Sequence, residues 1–516
     1  MMIPNRKLGF LEAFCIHQNN QRNGSGSIAC ITHIDGVIDF NTLKQALLSL
    51  FERHPMLRST VHIENEQYVF KFTAKFEDIL ISQLHSTDQD VIHKVYTDDA
   101  VQKFDCTKSL WRVFLISHNP KKHDLIIGYS HAMCDGISIV NISSEILYIL
   151  MDLKTDKKNR YEALSCPSAL EAQISSKVTN KQLVNDEIVP REVTNPNCFN
   201  NKYDTSLNIV PCCHIQSIPE IKFKKIIDAC KKNKTTVNAL LNVAFANALM
   251  QHRALNEKSI DIINAANARP LTDSLLQSEN MGNYVIAAPT IIPQINNETN
   301  VWKSCRQFNI NLRENLKNFD APDEPNIADL DNLLSLIDTM LNEQTTLIKY
   351  GVSNIGSVDE YFTHLKPLIS VQSCRVQMRL TIPHIGIFLL ITTANNTMDL
   401  AFNYAEPLIN ADWIKQLAKI TEEMMISACE IEVDTQKSEY LAPRNELETT
   451  IAIIWKEILK IEQIGIHDNF FELGGDSQSG VQIIAKLKEK FPEKELSCFS
   501  LLGAPTIYGL EQLLQS

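Results

Sequence analysis

The stretch Phe470–Gly480, FFELGGDSQSG, constrains its local fold more tightly than any other part of the chain. Two adjacent glycines, Gly474 and Gly475, reach backbone angles closed to other residues and permit a tight turn. Asp476 and Ser477 then stand where a helix N-terminus needs side-chain acceptors. Val481, Ile484 and Leu487 follow at helical spacing, which gives that helix an apolar face. Taken alone, the stretch reads as a glycine turn ahead of a capped helix.

The rest of the chain has the composition of an ordinary globular protein. Its 516 residues suggest about three domain-sized units. The apolar fraction is 44% and the charged fraction 21%. A formal charge of −12 argues against binding a phosphate backbone, which calls for a basic surface, so no nucleic-acid partner is expected. The 13 cysteines show no CxxC spacing, and the pattern is that of reduced thiols in a cytoplasmic protein. The start, MMIPNRKLGFLEAF, lacks the apolar core of a signal peptide. No apolar run approaches the roughly 18 residues of a membrane span. The expectation is a cytoplasmic protein without a membrane partner. The histidines form no HExxH motif and no Cys/His cluster, so no metal site is expected.

Along the chain, helical spacing begins at Asn41, with Leu43, Ala46, Leu47, Leu50 and Phe51 on one face, and Pro55 ends it. His54 reads as a helix-end histidine. VHIENEQYVF alternates like a strand. Trp111–Ile116 and Leu125–Tyr129 look like buried strands, the second running into SHAMCDG, and a helix follows Gly136. His131 therefore sits on a strand-to-helix connection, where a fixed backbone can aim a side chain into a cleft. The pattern fades over 152–204 and resumes with helices after Pro219 and near Thr235. A strand-like IDIINAANARP, the loop MGNYV and helical segments from Val301 to about Leu341 follow. Strand-like runs between Ile369 and Tyr404 and a helix near Trp413–Cys429 complete this part.

The flanks of the opening stretch, LAPRNELETTIAIIWKEIL and IGIHDNFFELGGDS, together resemble a peptidyl carrier domain of the nonribosomal peptide synthetases. The resemblance rests on Pro443, Leu447, Glu448, Trp455, Gly465, Asp468, Phe470, Phe471 and Leu473. It implies a small four-helix bundle over 442–516, with 4'-phosphopantetheine attached covalently to Ser477 by a phosphopantetheinyl transferase. Gln478 departs from the family, which usually has an apolar residue there for partners to pack on.

HPMLRS (54–59), HAMCDG (131–136), ANARP (266–270), MGNYV (281–285) and SNIG (353–356) occur in an order that resembles a condensation domain, within the acyltransferase superfamily that uses HHxxxDG. This resemblance implies an α/β (α+β) fold over 1–432, of two chloramphenicol acetyltransferase-like lobes (1–151 and 205–432) with a crossover at 152–204. Residues 433–441 would link it to the carrier.

The chemistry suits the histidine. An amine or hydroxyl attacking a thioester must lose a proton, and an imidazole with an unperturbed pKa near 6.5 can take it or hold the nucleophile. His131 is the candidate. The resemblance implies that Asp135 is structural, with Arg269 as its ion-pair partner, and Gly136 lets the chain turn into the helix. Ser130 stands where the family has its first, supporting histidine. Neither Ser130 nor Cys134 has the setting of a nucleophile: there is no GxSxG elbow, and adjacent strand side chains point apart.

The implied activity is amide or ester formation by acyl transfer from a phosphopantetheine thioester. No adenylation domain is recognised, so a trans-acting adenylation or other loading enzyme is expected to charge the carrier, and a donor carrier protein or acyl thioester to supply the acyl group. An epimerisation domain would follow its carrier, and a plant-type acyl-CoA transferase would show DFGWG. The rival of another class is a non-catalytic docking platform that recruits enzymes to a loaded carrier.

Overall fold

Apolar periodicity and turn chemistry divide the first half of the chain into β1 (Arg6–Lys7), α1 (Phe10–Gln21), β2 (Ser27–Gly36), α2 (Phe40–Arg53), β3 (Thr60–Glu64), β4 (Gln67–Lys71), β5 (Ile81–His85), α3 (Val91–Val95), β6 (Trp111–Asn119), β7 (Lys122–Ser130), α4 (Gly136–Lys154) and β8 (Val210–Ile218). The second half carries α5 (Glu220–Lys232), α6 (Val237–His252), β9 (Ser259–Asn267), β10 (Val285–Pro293), α7 (Val301–Lys317), α8 (Ile327–Asn342), β11 (Lys349–Ser357), α9 (Asp359–Phe362), β12 (Ile369–Met378), β13 (Ile385–Ala394), β14 (Thr397–Glu406), α10 (Ala411–Ala428), α11 (Glu446–Leu459), α12 (Ser477–Lys490) and α13 (Ile507–Gln515). The computed structural model describes residues 3–22, 24–88, 90–155, 161–174, 209–252, 258–272, 276, 279–295, 300–319, 321–342, 349–365, 368–380, 385–431, 440–471, 473–475, 477–492, 494, 496, 500–501 and 504–515. Most of the expected crossover and linker therefore lies outside the described residues.

The chain divides into two compact units. One comprises Met1–Pro219, Leu276–Val285 and Asp320–Gln416; the other comprises Glu220–Leu275, Ile286–Phe319 and Leu417–Ser516.

In the first unit a sheet runs β12-β2-β7-β6-β5. β2 pairs antiparallel with β7 and with β12, a strand drawn from more than 300 residues downstream. β6 and β7 form an antiparallel hairpin, and β5 joins β6 in parallel. A further set has β11 parallel to β13, with β14 and β8 following antiparallel. α2 and α4 pack on each other, and α4 lies on β2 and β12. By length and composition α4 could cross a membrane, but most of it is buried inside this unit.

α2 follows its sequence pattern. Asp39 caps it by accepting the Thr42 N–H at 2.8 Å, and all five apolar-face residues from Leu43 to Phe51 are buried. It ends at His54, because Pro55 has no N–H to continue the ladder. His54 is buried, with Nε2 2.7 Å from Glu145 Oε2. VHIENEQYVF does not make one strand. Asn65 and Glu66 both take positive φ, 48° and 61°, and turn the segment into the β3–β4 hairpin. Paired positive φ values in a two-residue loop match the right-handed twist of the flanking strands, so the alternation belonged to two short strands. SNIG lies on β11, a strand that the Gly- and Ser-containing segment KYGVSNIGS does not announce.

In the second unit, α5 and α6 pack together, as do α6 and α7, and β9 and β10 are neighbours. Residues 440–515 of this unit form a helical body around Trp455, Phe470, Ile483, Ile484, Leu487 and Leu510. The Trp455 and Phe470 rings meet edge to face at 5.3 Å, a favoured aromatic geometry. α11, α12 and α13 supply three helices; the stretch where a fourth is expected includes 497–499 and 502–503, outside the described residues.

The turn before α12 shows why its two glycines differ in role. Gly474 has φ +91°. At Gly475 a Cβ would lie 2.4 Å from the Phe470 ring. By contrast, a Cβ at Gly480 would meet Leu501 at 3.6 Å, an ordinary contact. Gly475→Ala should therefore destabilise this body by about 1–3 kcal/mol. Gly480→Ala should stabilise α12 by about 0.5–1 kcal/mol. Amide hydrogen exchange across Ser477–Lys490 in the intact chain should speed up in the first variant and slow in the second.

Candidate active site at His131 and attachment site at Ser477

His131 leaves the sheet as β7 ends. Ser130, its predecessor, still pairs with Ser27 across β2. The His131 N–H then donates to the Gly26 carbonyl at 2.8 Å. Gly26 has φ +79° and lies so close to α1 that a Cβ would stand 3.0 Å from the Cys15 carbonyl oxygen. The backbone at His131 is thus fixed from both sides before its side chain is considered.

The imidazole is held by one nitrogen. Nδ1 lies 2.9 Å from the Cys134 carbonyl oxygen. A carbonyl can only accept, so Nδ1 carries the proton and the neutral ring keeps its lone pair on Nε2. Among the described residues no hydrogen-bond partner is recorded for Nε2. Burial lowers the His131 pKa below the ordinary 6.5, against smaller opposing effects from hydrogen bonding to the Cys134 carbonyl and from Asp135. The neutral ring is therefore the prevailing form at pH 7.

Asp135 fixes the loop. It is the N-cap of α4, its Oδ1 accepting the Ser138 N–H at 2.8 Å. Its Oδ2 accepts the Tyr284 N–H at 3.0 Å, and its own N–H donates to the Gly282 carbonyl at 3.0 Å. The Ser138 hydroxyl donates to the same Gly282 oxygen at 3.0 Å. The HAMCDG loop and the MGNYV loop, about 150 residues apart in sequence, are laced together through backbone groups.

Gly136 has a different reason from the one the sequence suggested. Its φ is not in the left-handed region, so the turn itself makes no demand on it. A Cβ at this position would stand 2.9 Å from Cδ1 of Ile355 in SNIG, so that side chain would have to shift. Ser130 is buried and its hydroxyl accepts the Ala132 N–H at 3.4 Å, a supporting contact within the loop. The Cys134 thiol is buried and turned back toward the Ser130 carbonyl at 3.9 Å. Cys134 meets the imidazole through its backbone oxygen. Arg269 lies in the second unit, buried in the short turn after β9, where its N–H and Nη1 both reach Asn267 Oδ1.

Two contributors were invisible to motif reading. The Cys134 carbonyl has no sequence signature, because any residue supplies one. Asn283 belongs to a motif used only for its order in the chain, yet its Nδ2 donates to the His131 carbonyl at 2.7 Å.

In the second unit, Ser477 is the first residue of α12. The Leu473, Gly474 and Gly475 N–H groups turn back onto the Asn469, Phe471 and Phe470 carbonyls at 3.0–3.1 Å. The turn thus leads toward Ser477 at the start of α12.

Comparison with known proteins gives this geometry a family. Residues 13–164 match the condensation domain family model, and residues 449–514 match the phosphopantetheine attachment site model. Tyrocidine synthase 3 of Brevibacillus parabrevis is 44% identical over 75 residues, 14% of this chain and 1% of that protein. Bacitracin synthase 3 of Bacillus licheniformis is 40% identical over 80 residues, 16% of this chain and again 1% of that protein. The chain thus spans only a small fraction of the length of these relatives. Among solved structures, the trichothecene 15-O-acetyltransferase of Fusarium sporotrichioides is 12% identical with TM-score 0.63, covering 82% of this chain and 95% of that one. The first condensation domain of the calcium-dependent antibiotic synthetase is also 12% identical, with TM-score 0.60, covering 86% of this chain and all of that one. These likenesses establish the condensation-domain fold. The chain thus carries a condensation-family match in its first part and a phosphopantetheine attachment match in its C-terminal part.

Because Asp135 is buried and accepts from two backbone N–H groups, Asp135→Ala should cost about 2–4 kcal/mol. Asp135→Asn, which keeps one acceptor for the helix cap, should cost less. Denaturant unfolding of the intact chain measures both.

Proposed function

We propose that the chain is an acyltransferase that forms an amide or ester from a thioester, with His131 as the catalytic base. The observation that carries this reading is the tautomer: Nδ1–H is committed to the Cys134 carbonyl, which leaves the Nε2 lone pair to act. In the proposed reaction Nε2 takes the proton of an amine or hydroxyl as its N or O attacks the thioester carbonyl carbon. The new C–N or C–O bond forms, the C–S bond breaks with its electron pair going to sulfur, and the proton passes from Nε2 to the thiolate. Holding nucleophile and base together contributes alongside proton transfer. Asp135 and Gly136 act on the loop rather than the substrate, and Arg269 is the ion-pair partner that the family pattern assigns to Asp135.

Residues 1–432 would form the condensation domain, 433–441 a linker and 442–516 the carrier. Ser477 would hold 4'-phosphopantetheine, installed by a phosphopantetheinyl transferase. When bound there the group supplies a thioester-linked cargo, more consistent with acceptor than donor because the carrier follows the condensation domain. A trans-acting enzyme would load it, and a donor carrier or free acyl thioester would bring the acyl group, in the cytoplasm. The rival reading, a docking platform, draws on Ser130 in place of the family's first histidine.

Three outcomes are expected. Incubation with a phosphopantetheinyl transferase should add the mass of the arm to the wild type and nothing to Ser477→Ala; an arm on that variant would displace the attachment site. With loaded carrier and a donor thioester, product measured by intact mass should fall about 100-fold or more in His131→Ala. Equal product would remove His131 from catalysis, and none from either protein across varied donors would favour the platform. Because the His131 pKa lies below 6.5, the rate should be at its plateau at pH 7 and fall only as pH drops through that lowered pKa.

A further inference from the structure

We infer that Asn283 is a positioning residue, which holds His131 in the neutral, Nε2-unprotonated form through its side-chain amide. The inference rests on the catalytic reading of His131. Asn283 is 3% exposed. Its Nδ2 lies 2.7 Å from the His131 carbonyl oxygen and 3.4 Å from His131 Nδ1. The amide orientation follows from the first distance: exchanging its N and O would set two carbonyl oxygens against each other at hydrogen-bond separation.

That orientation has a cost and an electrostatic effect. Asn283 Oδ1 is buried and has no hydrogen-bond partner among the described residues. A buried acceptor without a donor is destabilising, and an apolar residue of the same shape would avoid it. The retained amide therefore points to work done by Nδ2. Its N–H groups form the positive end of a dipole that faces the ring on the Nδ1 side. Nδ1–H already donates to Cys134, so Nδ2 cannot bond to it and acts only through its field. A positive end beside the ring disfavours the imidazolium and leaves the base-competent tautomer untouched.

The Asp135 carboxylate favours the cation, but its oxygens accept the Ser138 and Tyr284 N–H groups. The Cys134 thiol is directed at the Ser130 carbonyl. The Tyr284 hydroxyl reaches instead to the Ser168 carbonyl at 3.4 Å. Asn283 thus acts alongside burial and against the pull of Asp135.

The test reads protonation without turnover. Diethyl pyrocarbonate acylates neutral imidazole, so its rate of reaction at His131, followed by peptide mass spectrometry against pH in the intact protein, gives a midpoint for that residue. Asn283→Asp replaces the positive end with a carboxylate and should raise the midpoint by about one unit or more. Asn283→Leu removes the dipole together with the unpartnered oxygen, and should raise it by less. That ordering separates an electrostatic role from a merely structural one. Wild-type midpoints in both variants would overturn the inference, as would a rise in Asn283→Leu as large as in Asn283→Asp. If Asn283→Asp does not fold, an unshifted midpoint in Asn283→Leu overturns it and a raised one supports it. A shifted midpoint with no condensation product would instead count against the catalytic reading alone.

Discussion

The carboxylate of Asp135 is the contact on which the first unit's site depends. One oxygen starts α4 and the other holds the backbone of Tyr284. A single buried side chain therefore sets both the direction of the helix and the position of a loop far away in sequence. The His131 loop is suspended between these fixed points, with Gly26 on its other side. Because buried backbone donors must be paired, the arrangement resists small displacements.

Within that frame no charged hydrogen-bond partner of the imidazole is found among the described residues. Its proton is committed to a carbonyl, and its second nitrogen has no hydrogen-bond partner among the described residues. Burial keeps the ring neutral, and the structural carboxylate nearby pulls the other way without overcoming it. Ser130, next to His131 in the chain, accepts the Ala132 N–H within the loop.

Legibility in the sequence followed from how each feature is encoded. The C-terminal body could be read almost residue by residue, since a glycine turn, a buried tryptophan and an apolar helix face each leave a local trace. Gly475 and Phe470 are five residues apart, and their close approach is written within one motif. His131 was legible by its place between strand and helix. The groups that contact it were not: the Cys134 oxygen is backbone, and Asn283 reaches His131 only through tertiary folding. Gly136 has no positive φ, and its near neighbour is Ile355, more than 200 residues away, a contact that the local sequence does not announce. The β3–β4 hairpin was missed because Asn65 and Glu66 are not the glycine-containing pair that most often announces such a turn.

Cargo held on Ser477 should be destined for a site built around His131, and this is the claim on which the proposed function turns. An electrophilic haloacetyl amide placed on the phosphopantetheine arm of the intact protein tests it directly, followed by peptide mapping of the covalent adduct. The predicted result is alkylation of the His131 imidazole, within one chain or between two, that disappears in His131→Ala. Adducts confined to other side chains, with His131 unmodified, would contradict it.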